Sequence, residues 1–238
     1  MDIFRGVINE IKKNRRTGLL TLTITSLLIV ITFQGMVGLT ANSVDENNIY
    51  VTALGIYFRL FYPVIVGILI SLTLYNEKRK EGILIYYYNA FPITKVFRNK
   101  ICAYQIQALI VYVICILFAM LFIILEGGNP LRYVINNLNG IVFSMIGIMV
   151  LVNIQFLISL ILKNQILSLS IAILGSIGNL FIASTTLWPY FPWSYLYRML
   201  YHTSVEMNQV VTMGIIFVVS FVALFLSTKR FKEIMLTP

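Results

Sequence analysis

Residues 77–100 read EKRKEGILIYYYNAFPITKVFRNK. This is the longest polar stretch in the chain. It holds six of the 18 Lys and Arg, two Glu, a Tyr triplet and one Pro. The runs on either side, near 54–74 and 101–125, are almost wholly apolar. Each is long enough as α-helix to cross a bilayer core of ~30 Å, which takes about 20 residues. The quoted stretch is therefore a loop between two membrane crossings, and that reading decides the fold.

The rest of the chain has the same character. Hydrophobic residues make up 59% and charged residues 11%. An average soluble domain is roughly 45–50% apolar and about 25% charged. A soluble protein of 238 residues has too little interior for this much apolar side chain. Six crossings are predicted, near 18–39, 54–74, 101–125, 139–162, 166–187 and 210–227. All are expected as helices, because barrel strands alternate apolar and polar residues over segments of about 10. The expected fold is an all-α integral membrane protein, one transmembrane domain over 1–238. No linker, second domain or internal repeat is evident. The run that starts near Gly18 has no small-residue cleavage site after a short core, so it reads as a span and not a cleavable leader.

Positive charge orients the spans. Five basic residues precede the first span, six lie between the second and third, Lys163 separates the fourth and fifth, and three follow the last. That places fifteen of 18 on one side. Both termini are expected in the cytoplasm of a multi-pass plasma-membrane protein. The net charge of +9 is then a topology signal, and no nucleic-acid partner is expected. Cys102 and Cys115 are thirteen residues apart in one apolar run and read as small buried hydrophobes.

Enzyme chemistry finds few residues. His202 is the sole His, and the predicted spans contain no Asp or Glu. Membrane zinc proteases need paired His with Glu, so no metal site and no catalytic residue is expected. Hydroxyls crowd the first span at Thr21, Thr23, Thr25, Ser26 and Thr32, where bonding to their own backbone or a neighbouring helix is the ordinary role. An ion-coupled carrier carries ionisable groups deep in its spans. Here Arg59 is the one charge within a span. It either snorkels to the outer surface or faces an inner path. Polar uncharged residues do occur at depth: Gln34, Gln105, Gln107, Asn153, Gln155 and Asn179. They are expected to face neighbouring helices. Arg59, Asn153 and Asn179 are the candidates for a substrate path. Gly35, Gly38, Gly175 and Gly178 permit close helix approach, within one subunit or between two.

The first sixteen residues, MDIFRGVINEIKKNRR, place Ile3, Phe4, Val7, Ile8 and Ile11 on one helical face and Arg5, Asn9, Lys12, Lys13 and Arg16 on the other. A basic amphipathic helix of this kind lies in the headgroup region. Its role is to anchor the chain or to connect a cytosolic partner to the first span. In the quoted loop, Glu77 to Glu81 form a charged exit from the second span. ILIYYY is too apolar to be left in water. Pro92 ends what precedes it, and Thr94 is placed to cap the helix that follows. Two Glu among the Lys and Arg favour docking on a protein over docking on lipid alone.

These residues resemble a known family. A Glu-containing exit from the second span, Gly82, a short apolar helix, then Pro92-Ile93-Thr94-Lys95 and further basic residues look like the ABC type-2 exporter permeases. The N-terminal amphipathic helix and six spans agree. So does a segment between the fifth and sixth spans that folds back as a re-entrant or interfacial helix, here WPYFPWSYLYRMLYH at 188–202. Its Pro-Trp-Ser-Tyr piece is similar to small permeases of bacterial peptide export and peptide immunity. The sequence departs from the family pattern at Ile83, where Thr is common, and in the spacing around Pro92.

The resemblance implies a dimeric permease, with a second copy or a paralogous permease as its mate. Separate ABC ATPase subunits would sit beneath it and hold ATP and Mg. The chain has no Gly-x-x-x-x-Gly-Lys-Ser/Thr of its own, so it is not expected to be an enzyme by itself. By the same resemblance, Glu77, Glu81, Gly82, Tyr86, Tyr87, Pro92 and Lys95 would couple to the ATPase. Phe4, Arg5, Ile8 and Lys12 belong to the interfacial helix. The cargo expected is amphipathic or hydrophobic, such as antimicrobial or signalling peptides. The richness in Ile, Asn, Lys and Tyr suggests a bacterial host. An ion-coupled carrier and a membrane scaffold are the rival readings.

Overall fold

The computed structural model describes residues 3–15, 25, 28, 32, 55–79, 92–125, 128–162, 164–201 and 207–236. Among them every regular element is helical. Helix α1 is Ile3–Arg15. A π-helical turn, Tyr57–Phe61, leads into α2, Tyr62–Arg79. Then come α3 (Ile93–Leu125), α4 (Pro130–Asn136), α5 (Leu138–Ile161) and α6 (Gln165–Ile182). Two 3₁₀ turns, Trp188–Tyr190 and Pro192–Ser194, precede α7 (Tyr195–Tyr201) and α8 (Met207–Leu236).

Five helices among the described residues are long and apolar enough to cross a membrane: Tyr57–Glu77, Ile93–Leu125, Leu138–Ile161, Gln165–Ile182 and Gly214–Ile234. They coincide with five of the six predicted crossings. The other, 18–39, lies outside the described residues apart from Thr25, Leu28 and Thr32. The Thr32 hydroxyl donates to the Leu28 carbonyl at 2.7 Å, the self-bonding expected of hydroxyls in this run.

Several boundaries differ from expectation, each for a local reason. The helix that carries the third crossing begins at Ile93, ahead of 101, because the charged entry ITKVFRNK is itself helical. Pro92 starts it: its carbonyl accepts from the Lys95 and Val96 amides at 2.9 and 3.2 Å, and a missing N–H costs nothing at a helix start. Thr94 therefore sits inside the first turn and is not the cap. The fifth crossing stops at Ile182, not 187. There the Ser184 and Thr185 hydroxyls take the carbonyls of Phe181 and Ile182. The last helix continues past 227 to Leu236, carrying its basic residues with it, and Arg230 pairs with Glu233 at 2.8 Å. The connection EGGNPLRYVINNLN holds the short helix α4. The Asn129 side chain caps it, accepting from the Leu131 and Arg132 amides with Pro130 at the first position.

Helix α5 is the centre of the bundle. It packs against α2, α3, α6, α7 and α8, and it is mostly apolar on its exposed side as well, where Leu138, Val142 and Met149 lie. Lipid supplies no hydrophobic drive between helices, so packing and interhelical hydrogen bonds must hold them. Gln105 of α3 donates to Asn153 of α5 at 2.9 Å, and Asn153 donates to Ser220 of α8 at 3.0 Å. Ser71 of α2, Ser159 of α5 and Ser168 of α6 share one knot, to which Gln155 adds a bond on the Ser168 carbonyl at 3.1 Å. Each such bond contributes about 0.6 kcal/mol on average. The expectation that polar residues at depth face neighbouring helices holds for Gln105, Asn153, Gln155 and Asn179. Gln34 lies outside the described residues.

The chain after α6 folds back onto α5. Tyr195, Leu196, Met199 and Leu200 of α7 are buried. Gly140 and Gly147, two turns apart on α5, admit the α7 backbone. A Cβ on Gly140 would stand 2.5 Å from the Leu200 carbonyl oxygen, and one on Gly147 would stand 3.1 Å from the Leu196 amide nitrogen. The bundle thus has two unlike ends. The basic end joins α1, the end of α2, the start of α3 and the end of α8, where Phe231 packs on Phe97 at 5.6 Å. The aromatic end joins the π-turn, the end of α6, the 3₁₀ turns and α7.

Candidate functional site

At the basic end four charged side chains form one chain of contacts. Glu77, near the end of α2, accepts from Lys100 of α3 on both carboxylate oxygens at 2.6 Å. It also accepts from Lys13 of α1 at 2.5 Å. Lys100 reaches Glu10 of α1 at 3.2 Å. The order Lys13–Glu77–Lys100–Glu10 alternates in sign and sums to zero. That alternation matters because Glu77 and Lys100 are only 5% and 1% exposed. A lone buried charge is strongly unfavourable, and a charge with partners on two sides is tolerated.

Local structure puts each group in place. Glu10 and Lys13 are three apart on α1 and share a face. The side of α1 holding Val7, which is buried, turns onto α3, with Gly6 against Asn99. Lys100 can reach α2 because α3 is already helical from Ile93 onward. The Glu77–Lys100 bond therefore closes the base of residues 80–91, and Glu10 and Lys13 fasten α1 to that base. The cluster links α1 to the end of one candidate crossing and the start of the next.

Exposed basic groups surround this buried cluster. Arg5, Lys12, Lys95 and Arg98 are exposed, as is Pro92 at the head of α3. Ile8 is half-buried. Glu81, Gly82, Tyr86 and Tyr87 lie outside the described residues, as does the side chain of Phe4. Of the residues singled out for coupling, Glu77 is the one the structure places in the cluster. Glu10, Lys13 and Lys100 were absent from that reading.

The three substrate-path candidates separate. Asn179 donates to the Arg59 carbonyl at 2.9 Å, so these two meet at the aromatic end. Asn153 is 2% exposed and spends its amide on Gln105 and Ser220. Gly175 and Gly178 face the rings of Trp193 and Phe191 of the same chain. Gly35 and Gly38 lie outside the described residues.

No curated protein sequence matches the chain. A family model described as ABC-2 family transporter protein matches residues 7–179. The match starts within α1, takes in the whole Glu10–Lys13–Glu77–Lys100 cluster and ends at Asn179. With well over half its length so matched and its apolar helices as described, the chain is a multi-pass membrane protein that belongs to the ABC-2 transporter family.

Proposed function

We propose that the chain is the permease subunit of an ATP-driven exporter that moves amphipathic or hydrophobic cargo, antimicrobial or signalling peptides foremost. It works as a dimer, with a second copy or a paralogous permease, above separate ABC ATPase subunits that hold ATP and Mg. It crosses the plasma membrane of a bacterium six times, with the basic end and both termini in the cytoplasm. One observation supports this above the others: the buried Glu77 cluster ties α1, α2 and α3 together at the base of the loop 80–91. A docking loop held this way delivers a push from below to two crossings at once. The exposed Arg5, Lys12, Lys95 and Arg98 offer charge to the partner, with Glu77, Glu81, Gly82, Tyr86, Tyr87 and Pro92 as the coupling set. Cargo of this kind enters from the bilayer, which suits the short predicted connections near 40–53 and 126–138.

The test is extraction of the native complex in mild detergent, wild type against Glu81→Lys. An ATP-hydrolysing subunit should copurify, and the substitution should release it or uncouple its ATPase from cargo. Absence of such a subunit under several mild conditions would sink the reading. Transport driven by an ion gradient without nucleotide would favour a carrier, and transport of nothing would favour a scaffold.

A further inference from the structure

The aromatic end carries positive charge that the described residues around it do not answer with a carboxylate. Arg59 of the π-turn lies over the Tyr197 ring, its guanidinium carbon 3.8 Å from the centroid. Arg198 of α7, the next residue, lies 5.3 Å from the centroid of Trp188. Tyr197 and Arg198 are consecutive on α7, so the ring that holds Arg59 and the second guanidinium belong to one turn of that helix. The described acidic residues, Glu10, Glu77 and Glu233, all belong to the basic end. Nε of Arg59 and Nε of Arg198 are buried without a hydrogen-bond partner among the described residues, and so is Nε1 of Trp193. Cation–π contact holds a guanidinium over a ring face but uses none of its N–H donors.

The backbone is built to hold Arg59 there. The π-turn widens the helix at Tyr57–Phe61, where the Tyr62 amide bonds to the Tyr57 carbonyl. The Arg59 carbonyl is taken instead by Asn179 of α6 at 2.9 Å. Single π turns within α-helices recur at functional sites. Arg59 is thus fixed by α6 through its backbone and by α7 through its side chain. That is more constraint than an arginine reaching freely for water requires.

We infer that Arg59 and Arg198 together bind the phosphate of an anionic phospholipid in the outer leaflet. Guanidinium matches phosphate in shape and donor spacing, and basic pockets between transmembrane helices hold anionic headgroups. The neighbouring surface fits the rest of such a molecule. Ile56 and Phe61 beside Arg59, and Phe181 beside Asn179, are 50%, 37% and 71% exposed. Acyl chains can lie on that surface while the headgroup sits at the level of the Trp and Tyr rings. A free phosphate ion has no use for the apolar surface. The chain's own rival occupants are the carboxylates of Asp45, Glu46, Glu126 and Glu206, which lie outside the described residues.

Both tryptophans of the chain, Trp188 and Trp193, are in this segment, so tryptophan emission, excited selectively over that of the 14 tyrosines, reports this end alone. The full chain is reconstituted in phosphatidylcholine vesicles containing a fixed fraction of brominated phosphatidylglycerol or brominated phosphatidylcholine. Quenching should show a preference for phosphatidylglycerol of about ten-fold over bulk. Arg59→Gln with Arg198→Gln should abolish it, and Arg132→Gln, on an exposed arginine of α4, should leave it intact. Equal quenching by the two lipids in the unaltered chain overturns the inference without any variant. So does survival of the preference in the double variant, or its loss on Arg132→Gln. Removal of the preference by inorganic phosphate would assign the site to a soluble anion. A rise in preference on neutralising Asp45, Glu46, Glu126 and Glu206 would assign it to the chain's own carboxylates. Either result overturns the lipid.

Discussion

The two ends of the bundle solve the same problem in opposite ways. At the basic end the buried Glu77 and Lys100 meet opposite charges of the same chain, on three helices. At the aromatic end Arg59 and Arg198 lie on rings and meet no carboxylate among the described residues. The first arrangement is closed and ties elements together. The second is open among the described residues. A membrane protein can thus hold cations at both ends by different means, and the difference fits a joint between helices at one end and the inferred lipid site at the other.

The largest effect should come from unbalancing the closed end. Glu77→Ala takes from the buried Lys100 its closest ion pair and should cost about 3–5 kcal/mol. The readout is thermal unfolding of the full chain in detergent. Replacing both members together, Glu77→Leu with Lys100→Met, should recover most of that loss, because an apolar pair of similar size is often neutral. A single substitution that unfolds no earlier than wild type would show that the cluster is not held in the membrane protein as described.

Why was Glu77 visible in the sequence and the rest of its cluster not? Glu77 stands at the end of an apolar run, where an acid is unexpected among basic neighbours. Lys13 and Lys100 were absorbed into the charge asymmetry that orients the spans, which explains any basic residue beside a crossing. Lys13 meets Glu77 across 64 residues, and Lys100 meets Glu77 across 23 and Glu10 across 90, and one sequence carries no signal of pairing at such distances. A weaker signal was present, since Glu10 and Lys13 are three apart on a helix whose other charges are all basic. The spans themselves were readable because length and apolarity suffice for them. Their ends were not, because α3 and α8 run on through charged residues as unbroken helix.

Glycines show the same limit. Gly140 and Gly147 are seven apart on α5 and seat α7, whereas the sequence pattern points to the closer pair Gly175 and Gly178. Those two meet rings of their own chain. The aromatic end depends on this seat, so it can be perturbed without touching a charge. Gly140→Ala brings a methyl against the Leu200 carbonyl, which is backbone and cannot swing aside. The cost should be about 1–3 kcal/mol, with α7 loosened and Trp188 and Trp193 fluorescence shifted towards that of exposed indole. Unchanged stability and emission would mean that α7 is not packed on α5 as described.

The smallest effect should come from the outer link of the closed end. Lys13 is 47% exposed, unlike Lys100 at 1%. Water and salt compete for an ammonium in that position, so Lys13→Ala should cost about 0.2–1 kcal/mol. The effect should shrink as salt is raised towards 1 M, where the screening length falls to about 3 Å. Lys100→Ala should cost several times more and be nearly indifferent to salt, because its pair is shielded from solvent. The comparison is made by unfolding both variants across a salt series. If the two lysines respond alike, the cluster is wet throughout, and the distinction between a closed end and an open one fails at its own centre. If they diverge as argued, Lys13 is the replaceable link through which α1 can be released while α2 and α3 stay joined by Glu77 and Lys100.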